Sequence, residues 1–500
     1  MDDLEARRLA PVRALWAARG LVTGLLGLAT SWFVADALSA PANPVDAVAS
    51  TVVATIPGSW ARAGEQRFGT DDKHVLVLIV LASLFALFAL IGVLARRRPA
   101  TAYVGWLVLS GIGVAAIATQ PGPAPGLVAI AAGLLAMLVA WAWLVRGHRP
   151  VTDRRAVLRL AVAAVGTGAL AAVAPAVGRA RRRVEHSRAG LALAGVTAPV
   201  VPKGADLGLA QPWQTPADRF YKIDTTFSSP AVDPGTWQLR IHGMVDRELT
   251  LTFADLLARQ RTQAWITLCC VSNPVGGQLI GNAWWSGVRI APLLAEAGVQ
   301  PGADAVLQTS VDGWTCGTPL SAMTDGRDAM LAVAMNGAPL PIDHGFPVRT
   351  VVPGLFGYVS ATKWVVDLEV TTMDRAVGFW IARGWSADGP VKLMSRIDRP
   401  SSDSIQAGSY TFAGVAWEQH TGIEAVEVSL DGGAWTGAEL ARVPDVDTWV
   451  QWKATLDVTP GEHQIAVRAR DRNGTLQTAV RRDVVPDGAT GWDTVRFTAG

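Results

Sequence analysis

Residues 99–145 contain no charged side chain, although charged residues make up 17% of the 500-residue chain. A membrane-spanning helix needs about 20 consecutive apolar residues, so this run is long enough for two helices. The turn-forming sequence QPGPAPG at 120–126 separates them. With the other apolar stretches included, we predict five spans, at about 20–40, 75–95, 101–119, 125–145 and 160–178. Buried helices of a soluble protein are the alternative interpretation, but uncharged runs of this length favour insertion into a membrane.

Arginine clusters predict the orientation of these spans. They precede the first span, follow the second and follow the fourth, so five spans place all three clusters on one side of the membrane. Arginine and lysine are enriched in loops on the cytoplasmic side. We therefore predict a multi-pass protein of the cell membrane, with a membrane region at 1–178 and the rest of the chain on the extracytoplasmic side.

The fifth predicted span follows two adjacent arginines. Arg154 and Arg155 precede a segment that is rich in alanine and only weakly hydrophobic. This arrangement resembles a twin-arginine export signal, here inside the chain rather than at its start. An ordinary positive-inside cluster explains the same arginines, and the residues alone leave both interpretations open.

Beyond the membrane region, the chain has the composition of a soluble protein. We predict a linker at 179–205, an α+β domain at 206–388 and a sandwich domain at 389–500. The α+β domain lacks the regular βα repeat of a doubly wound sheet. The sandwich domain shows several short alternating strands with turns between them, which is the pattern of an immunoglobulin-like β-sandwich. No basic tract with interleaved aromatic residues is present, so we expect no nucleic-acid partner.

Two of the three cysteines are adjacent and end a strand-like run in the sequence ITLCCVSNPVGG at 266–277. Side chains alternate along a strand, so Cys269 and Cys270 should point to opposite sides. One thiol can then pack in the core, while the other faces a cavity and binds a soft metal or acts as a nucleophile. Two buried structural thiols are the alternative interpretation.

A second dense stretch has the sequence MNGAPLPIDHGFPVRTVVPGLFGYVSATK at 335–363. Its Asn-Gly pair predicts a hairpin turn, because both residues tolerate a positive φ. His344 and Arg349 follow this turn, and Lys363 ends the next loop. Cations that converge from loops suit a phosphate or another anionic ligand. A proline-rich structural loop with solvated charges is the alternative interpretation.

Together the two stretches resemble the sulfite-oxidase family of molybdopterin enzymes. The resemblance rests on LxCxxN around Cys270 and on MNGxPLPxDHGFPVRxVVPG, and it runs from about residue 220 to the C-terminus. It implies a molybdenum–molybdopterin cofactor. It also implies that the sandwich is a dimerisation domain, so a homodimer is expected.

The resemblance assigns site residues by position. Cys270 corresponds to the thiolate that ligates molybdenum, which leaves Cys269 as a packed thiol. His344 and Arg349 match residues that hold the pterin and its phosphate. The other implied cofactor contacts are Tyr221, Asp224, Thr225, Asp312, Ala361, Thr362 and Lys363.

Departures from the family pattern concern the substrate pocket. Family members that oxidise sulfite surround the metal with arginines and a tyrosine, and the corresponding positions here hold Ile223, Thr421 and Trp385. Arg383 can supply part of the missing positive charge. We therefore name Cys270, Arg383 and Trp385 as the candidate catalytic residues.

Three functions remain open from the sequence. The first is a membrane-anchored oxidoreductase that performs oxygen-atom transfer at a Cys-ligated molybdenum, with a small oxoanion such as sulfite as substrate. The second is a reductase of S- or N-oxides, such as methionine sulfoxide, on the same cofactor. The third is a membrane-tethered binding module without catalysis. The predicted spans contain no pair of histidines that could hold a haem, since His74 and His148 lie at the membrane edges. The two enzymes therefore require an external electron carrier, a cytochrome or a quinone-linked haem protein.

Overall fold

The computed structural model describes residues 3–500 except 39, 41, 57–59, 61–63, 65–66, 68–71, 121, 147–157, 169–178, 194 and 210. The chain divides into two compact units. The helical unit comprises Met1–Glu185 and Thr225–Ala231, and the β-rich unit comprises His186–Asp224 and Val232–Gly500.

Helices make up the first unit, as the apolar runs predict. Their bounds are α1 Asp3–Ala37, α2 Pro44–Thr55, α3 Asp72–Leu94, α4 Thr101–Ala118, α5 Ala124–Val145, α6 Leu158–Gly168 and α7 Arg179–Ala189, the last of which continues into the second unit. Among the described residues, the helices α1, α3, α4 and α5 are long and apolar enough to cross a membrane. These four helices indicate membrane association. The fifth span stays a prediction, because α6 is shorter and 169–178 lies outside the described residues, as do Arg154 and Arg155.

Glycines allow the backbones of α1 and α3 to touch. A Cβ atom added at Gly20 would lie 2.1 Å from the carbonyl oxygen of Phe88, and one added at Gly92 would lie 2.1 Å from that of Trp16. Small residues at such crossings let helices approach closely, which is the usual basis of helix packing in membranes. Gly20 and Gly92 therefore allow α1 and α3 to pack closely.

The β-rich unit contains two five-stranded sheets upstream of the sandwich. The first has the strand order β2-β1-β10-β5-β6, and the second has the order β3-β4-β7-β8 with β9 also paired to β7. Only the pair β1–β10 is parallel among these strands as described. The strands are β1 Gln238–Gly243, β2 Leu249–Thr252, β3 Thr262–Cys269, β4 Ile280–Arg289, β5 Ala305–Ser310, β6 Thr315–Pro319, β7 Met330–Met335, β8 Ala338–Pro339, β9 Arg349–Val351 and β10 Val365–Thr371. The helices between them are α8 Phe253–Ala258, α9 Ile290–Ala297 and α10 Leu320–Thr324.

Local sequence explains several of these boundaries. Thr252 caps α8 by accepting the backbone N–H of Asp255, whose carboxylate accepts the Thr252 N–H in return. Asn336 and Gly337 have φ values of 52° and 86° and connect β7 to β8, which confirms the predicted hairpin. Both features were readable in the sequence because they depend on neighbouring residues only.

The C-terminal part forms a two-sheet β-sandwich. Its sheets have the orders β11-β13-β17-β16 and β12-β19-β18-β14-β15, and they share one hydrophobic core that includes Phe412, Val428 and Trp452. The strands are β11 Met394–Arg399, β12 Ser404–Ile405, β13 Gly408–Trp417, β14 Ile423–Leu430, β15 Thr436–Gly437, β16 Glu439–Leu440, β17 Val450–Val458, β18 Gly461–Asp471 and β19 Asp493–Ala499. The immunoglobulin type of this sandwich stays a prediction.

The segment predicted as a linker is partly packed on the β-rich unit. Leu191, Leu193 and Val196 contact its core, and the indole N–H of Trp265 donates to the carbonyl oxygen of Pro199 at 3.3 Å. This packing adds residues beyond 186 to the β-rich unit, whereas the domain limits taken from composition remain predictions.

Candidate functional site

The adjacent cysteines stand where β3 ends. Cys269 is the last paired residue of β3, opposite Ile280 of β4. After the end of β3, the N–H of Cys270 donates to the carbonyl oxygen of Leu279 at 2.9 Å. The N–H of Asn273 donates to the carbonyl oxygen of Cys270 at 3.1 Å. The amide oxygen of Asn273 accepts the N–H of Leu279 at 2.9 Å. These contacts close the turn between β3 and β4 and hold the backbone of Cys270.

The two thiols have different surroundings. Cys269 is 2% exposed and belongs to the hydrophobic core, and its Sγ lies 3.5 Å from the carbonyl oxygen of Cys270. Burial, and then the charge of Cys270, raise the pKa of Cys269 well above that of an ordinary thiol. Cys270 is 9% exposed and close enough to Tyr221 for its negative charge to raise the pKa of the phenol, after burial. Both thiols therefore lie near Tyr221, whose pKa each of them raises, and Cys269 is the one that packs in the hydrophobic core.

Three cationic or basic side chains converge from the second stretch. His344 ends a short 3₁₀ helix, Arg349 begins β9, and Lys363 follows the 3₁₀ turn Gly357–Val359. Gly345, at φ 108°, lies between them: a Cβ there would lie 3.0 Å from the Cβ of Arg349 and 3.1 Å from the Cα of Lys363. A glycine is required at this position, because both its φ and its neighbours exclude a side chain.

Burial dominates the electrostatics of this group. It lowers the pKa of Arg349 to about 10, and it lowers that of Lys363 to about 8 although Asp224 opposes the shift. Burial, then Lys363 and Arg349, lower the pKa of His344 to about 4. His344 is therefore neutral, and the two remaining cations repel each other in a dry environment.

Arg349 has no acidic partner among the described residues. Its guanidinium donates to the carbonyl oxygen of His344 at 3.2 Å and lies 5.1 Å from the ring centre of Trp285. The Nε2 of His344 lies 3.0 Å from the carbonyl oxygen of Ala217, to which it must donate, so Nδ1 is an acceptor. That Nδ1 is buried and has no hydrogen-bond partner within the described chain. A buried cation without a counterion is costly, so this group suits an anionic ligand.

Aromatic rings join the cysteine turn to the cationic group. The ring of Phe220 lies 5.2 Å from that of Tyr221 and 5.7 Å from those of His344 and Trp285. A Cβ added at Gly357 would lie 3.9 Å from both the Tyr221 hydroxyl and the carbonyl oxygen of Cys269. The two stretches identified in the sequence, about 75 residues apart, therefore meet at one site.

Asp224 and Asp312 lie on one side of this site. The Nζ of Lys363 lies 2.9 Å from Oδ2 of Asp224, and both side chains are about nine-tenths buried, with 10% and 8% exposure. Burial raises the pKa of Asp312, and Asp224 contributes to the increase. The structure thus brings Asp224, Asp312 and Lys363 together.

The other predicted contacts are held by their backbones. The N–H of Ala361 donates to the carbonyl oxygen of Gly357 at 3.0 Å, and that of Thr362 donates to the hydroxyl of Thr350 at 2.7 Å. Thr225 belongs to the helical unit, where it begins the segment Thr225–Ala231. Its predicted cofactor contact stays a prediction.

The candidate substrate residues lie in the segment after β10. Trp385 is buried, and its ring lies 5.9 Å from that of Tyr358 in the 3₁₀ turn that precedes Lys363. Arg383 donates to the carbonyl oxygen of Phe379 at 2.8 Å, and its guanidinium lies 3.6 Å from the centre of the Phe379 ring. Ile223 is 39% exposed. Trp385 is therefore next to the turn Gly357–Val359, and Arg383 contacts Phe379 of its own segment.

Sequence reasoning missed Phe220 and Trp285, although both lie next to residues that it selected. The pair Phe220-Tyr221 and the pair Trp284-Trp285 are visible in the sequence. Nothing in their spacing shows that Phe220 would contact both Trp285 and His344, because these contacts depend on tertiary packing.

Comparison with known proteins agrees with this geometry. Residues 226–380 match the family model described as "Oxidoreductase molybdopterin binding domain". The "Uncharacterized oxidoreductase YuiH" of Bacillus subtilis is 34% identical over 31% of this chain and 76% of its own. The sulfite oxidase of Gallus gallus is 29% identical over 54% of this chain and 69% of its own. The chain belongs to the sulfite-oxidase family of molybdopterin-dependent oxidoreductases.

A solved structure supports the same assignment. The sulfane dehydrogenase SoxCD from Paracoccus pantotrophus matches with a TM-score of 0.51 and 26% identity, covering 57% of this chain and 81% of that one. The chain spans only about half of the length of the sulfite oxidases of Drosophila melanogaster and Homo sapiens, 53% and 52% respectively. The membrane region lies outside the matched domain model.

The family uses a molybdenum–molybdopterin cofactor, and the residues of this site fit it. The cofactor carries a phosphate and a soft dithiolene-bound metal. The uncompensated Arg349, its neighbour Lys363 and the unpartnered Nδ1 of His344 provide the polar and cationic groups that an anionic cofactor needs. A thiol such as that of Cys270 is a soft ligand that suits this metal, and its assignment as the metal ligand stays a prediction.

Proposed function

We propose that this protein is a membrane-anchored oxidoreductase that transfers an oxygen atom to or from a small substrate at a molybdenum ligated by Cys270. The observation that carries the proposal is the convergence of Cys270 with the buried Arg349, which has no acidic partner among the described residues. A structural loop with solvated charges does not explain this arrangement, because Arg349 is 4% exposed.

Each residue of the site has a distinct role in this proposal. His344, Arg349 and Lys363 hold the pterin and its phosphate by charge and hydrogen bonding. Asp224 orients Lys363 through their 2.9 Å contact. Cys270 anchors the metal, and the rings of Phe220 and Tyr221 exclude water. When bound, the cofactor supplies two-electron oxygen-atom chemistry.

The remaining proposed cofactor contacts are weaker in their support. Asp312 is half-buried and lies close enough to Asp224 for that charge to raise its pKa, after burial. The backbones of Ala361 and Thr362 shape the loop before Lys363. The proposed cofactor contact of Thr225 rests only on the family resemblance.

The relatives favour a small sulfur oxoanion as the substrate. The names of the similar proteins are sulfite oxidase and sulfane dehydrogenase, so both act on sulfur compounds. We extend this substrate class to the present chain, with oxidation as the direction of the reaction. Electrons then pass to an external carrier, a cytochrome or a quinone-linked haem protein.

Reduction of an S- or N-oxide is the second candidate function. It is favoured by the apolar Ile223 and by the buried Trp385, since a neutral oxide needs fewer positive charges than a dianion does. If this pocket decides the substrate, Trp385→Tyr combined with Ile223→Arg should raise the turnover of sulfite. Unchanged turnover would show that these residues do not line the substrate pocket.

The protein is proposed to reside in the cell membrane with this site on the extracytoplasmic side. The four apolar helices and the arginine clusters support this orientation. We also propose that the immunoglobulin-like sandwich forms a homodimer, as the family resemblance implies.

Paired assays test the proposed reaction. Full-length protein from a host that makes molybdopterin is assayed for sulfite oxidation with an artificial electron acceptor and for methionine sulfoxide reduction with an artificial donor. Turnover of sulfite supports the first function, and turnover of the sulfoxide alone supports the second. Turnover by a Cys270→Ser control equal to that of the wild type would contradict both.

A further inference from the structure

A buried hydrogen-bond network surrounds Thr267, three residues before Cys270 on β3. Thr267 is 2% exposed, and its hydroxyl donates to Oδ1 of Asn282 at 3.0 Å. The same hydroxyl accepts the N–H of Trp449 at 2.8 Å. Asn282 lies opposite Thr267 on β4 and is fully buried. One hydroxyl therefore joins β3 to β4 and to a loop of the sandwich.

The backbone of Thr267 is held from the same loops. Its N–H donates to the carbonyl oxygen of Asp447 at 2.9 Å, and its carbonyl oxygen accepts Nε2 of Gln419 at 3.1 Å. Gln419 is 3% exposed and follows β13, whereas Asp447 and Trp449 precede β17. On the edge of β3 away from β4, the backbone groups of Thr267 thus form their hydrogen bonds with loops of the sandwich instead of with another strand.

Asn282 is fixed from the opposite side. Its N–H donates to the hydroxyl of Thr215 at 3.0 Å, and its Nδ2 donates to the carbonyl oxygen of Trp213 at 3.1 Å. The indole N–H of Trp449 donates to the same carbonyl oxygen at 2.9 Å. The network is closed, so displacement of Thr267 disturbs several buried groups at once.

We propose that Thr267 is a positioning residue for the thiolate of Cys270. The proposal deepens the function proposed above and rests on it. Thr267 and Cys269 share one face of β3, and Cys270 directly follows the last paired residue of that strand. By fixing β3 against Asn282 and the sandwich, the Thr267 hydroxyl sets where the strand ends and where Cys270 can meet the metal. The sandwich thereby contributes to the site through Gln419 and Trp449.

Two substitutions separate the hydroxyl from the shape of the side chain. Thr267→Val keeps the shape and removes the hydroxyl, which leaves the N–H of Trp449 and Oδ1 of Asn282 without their partner. Thr267→Ser keeps the hydroxyl and removes only a methyl group. Thr371→Val, a buried threonine of β10 in the other sheet, is the matched control.

The first measurement is the rate at which a thiol reagent alkylates Cys270 in full-length protein from a host that makes no molybdopterin. Thr267→Val should increase this rate by about tenfold, because unsatisfied buried groups favour opening of the strand end. Cys316, buried on β6, should react at the wild-type rate in the same samples. Thr267→Ser and Thr371→Val should stay within about twofold of the wild type.

The second measurement is molybdenum per chain after production in a host that makes molybdopterin. Thr267→Val should retain about threefold less metal than the wild type, and Thr267→Ser should restore it. An unchanged Cys270 rate, a parallel increase at Cys316 or a failure of serine to restore either readout would overturn the positioning role. If Thr267→Val does not fold, Gln419→Met removes one contact to the Thr267 carbonyl, and an unchanged Cys270 rate in that variant would also overturn it. Absence of molybdenum from the wild type would contradict the proposed function alone, since the alkylation test does not use the cofactor.

Discussion

Replacing Arg349 and Lys363 one at a time by methionine should have opposite effects on stability and the same effect on the cofactor. Both cations are buried, but only Lys363 has a described acidic partner, Asp224 at 2.9 Å. In the chain without cofactor, burial makes both charges a cost, but only the charge of Lys363 also neutralises a buried carboxylate.

The magnitudes follow from the surroundings of each group. The lowering of the Arg349 pKa from 12.5 to about 10 corresponds to a penalty of about 3 kcal/mol on the charged form. Arg349→Met removes that penalty and loses about 1 kcal/mol of packing, so the free energy of unfolding should rise by about 0–2 kcal/mol. Lys363→Met removes a similar penalty, because the pKa of Lys363 falls from 10.5 to about 8, but it also loses packing and the ion pair with Asp224. Breaking a buried ion pair costs about 3–5 kcal/mol, so the free energy of unfolding should fall by about 1–3 kcal/mol.

Thermal unfolding of the cofactor-free full-length chain measures both effects. Lys363→Met should lower the midpoint by about 2–12 °C, and the double variant Lys363→Met with Asp224→Asn should recover most of the loss. Arg349→Met should leave the midpoint unchanged or raise it. Both single variants should lose molybdenum when they are produced with the cofactor. An equal loss of stability in the two variants would refute the inference that Arg349 awaits an anionic ligand.

Three further predictions concern the thiols, the membrane region and pH. Cys270→Ser should abolish turnover while the protein stays folded, and Cys269→Ser should retain turnover; equal losses would refute the ligand assignment. Arg154→Lys with Arg155→Lys should keep the β-rich unit in the cytoplasm, as tested by protease protection in spheroplasts, and normal export would exclude a twin-arginine signal. The pKa of Lys363 is about 8 in the folded chain and 10.5 in an ordinary lysine. Between pH 8 and pH 10.5, the unfolded chain therefore binds more protons than the folded chain does. The cofactor-free protein should therefore gain stability as pH rises from 8 to 10.5, and a flat thermal midpoint across that window would contradict the burial of Lys363.

Sequence reasoning located the elements of the site because those signals are local. The turn that carries Cys270, the Asn336-Gly337 hairpin and the helix capped by Thr252 each depend on residues a few positions apart. The four long apolar helices were predictable for the same reason, since a membrane span is a property of one continuous segment.

The interactions within the site were not predictable from spacing. The ion pair of Lys363 with Asp224 joins residues 139 positions apart, and the contact of Arg349 with Trp285 crosses between two strands of one sheet. The grouping of Thr225 with the helical unit also interrupts the β-rich part of the sequence. No local pattern encodes such contacts, because they arise from packing that the whole chain decides.

Molybdenum and pterin content of the purified full-length protein is the most direct test of the central claim. Protein from a host that makes molybdopterin should contain about one molybdenum and one pterin per chain, because each chain has one Cys270 and one buried cationic group. Protein from that host without molybdenum or pterin would contradict the account and leave a membrane-tethered binding module as the function to examine.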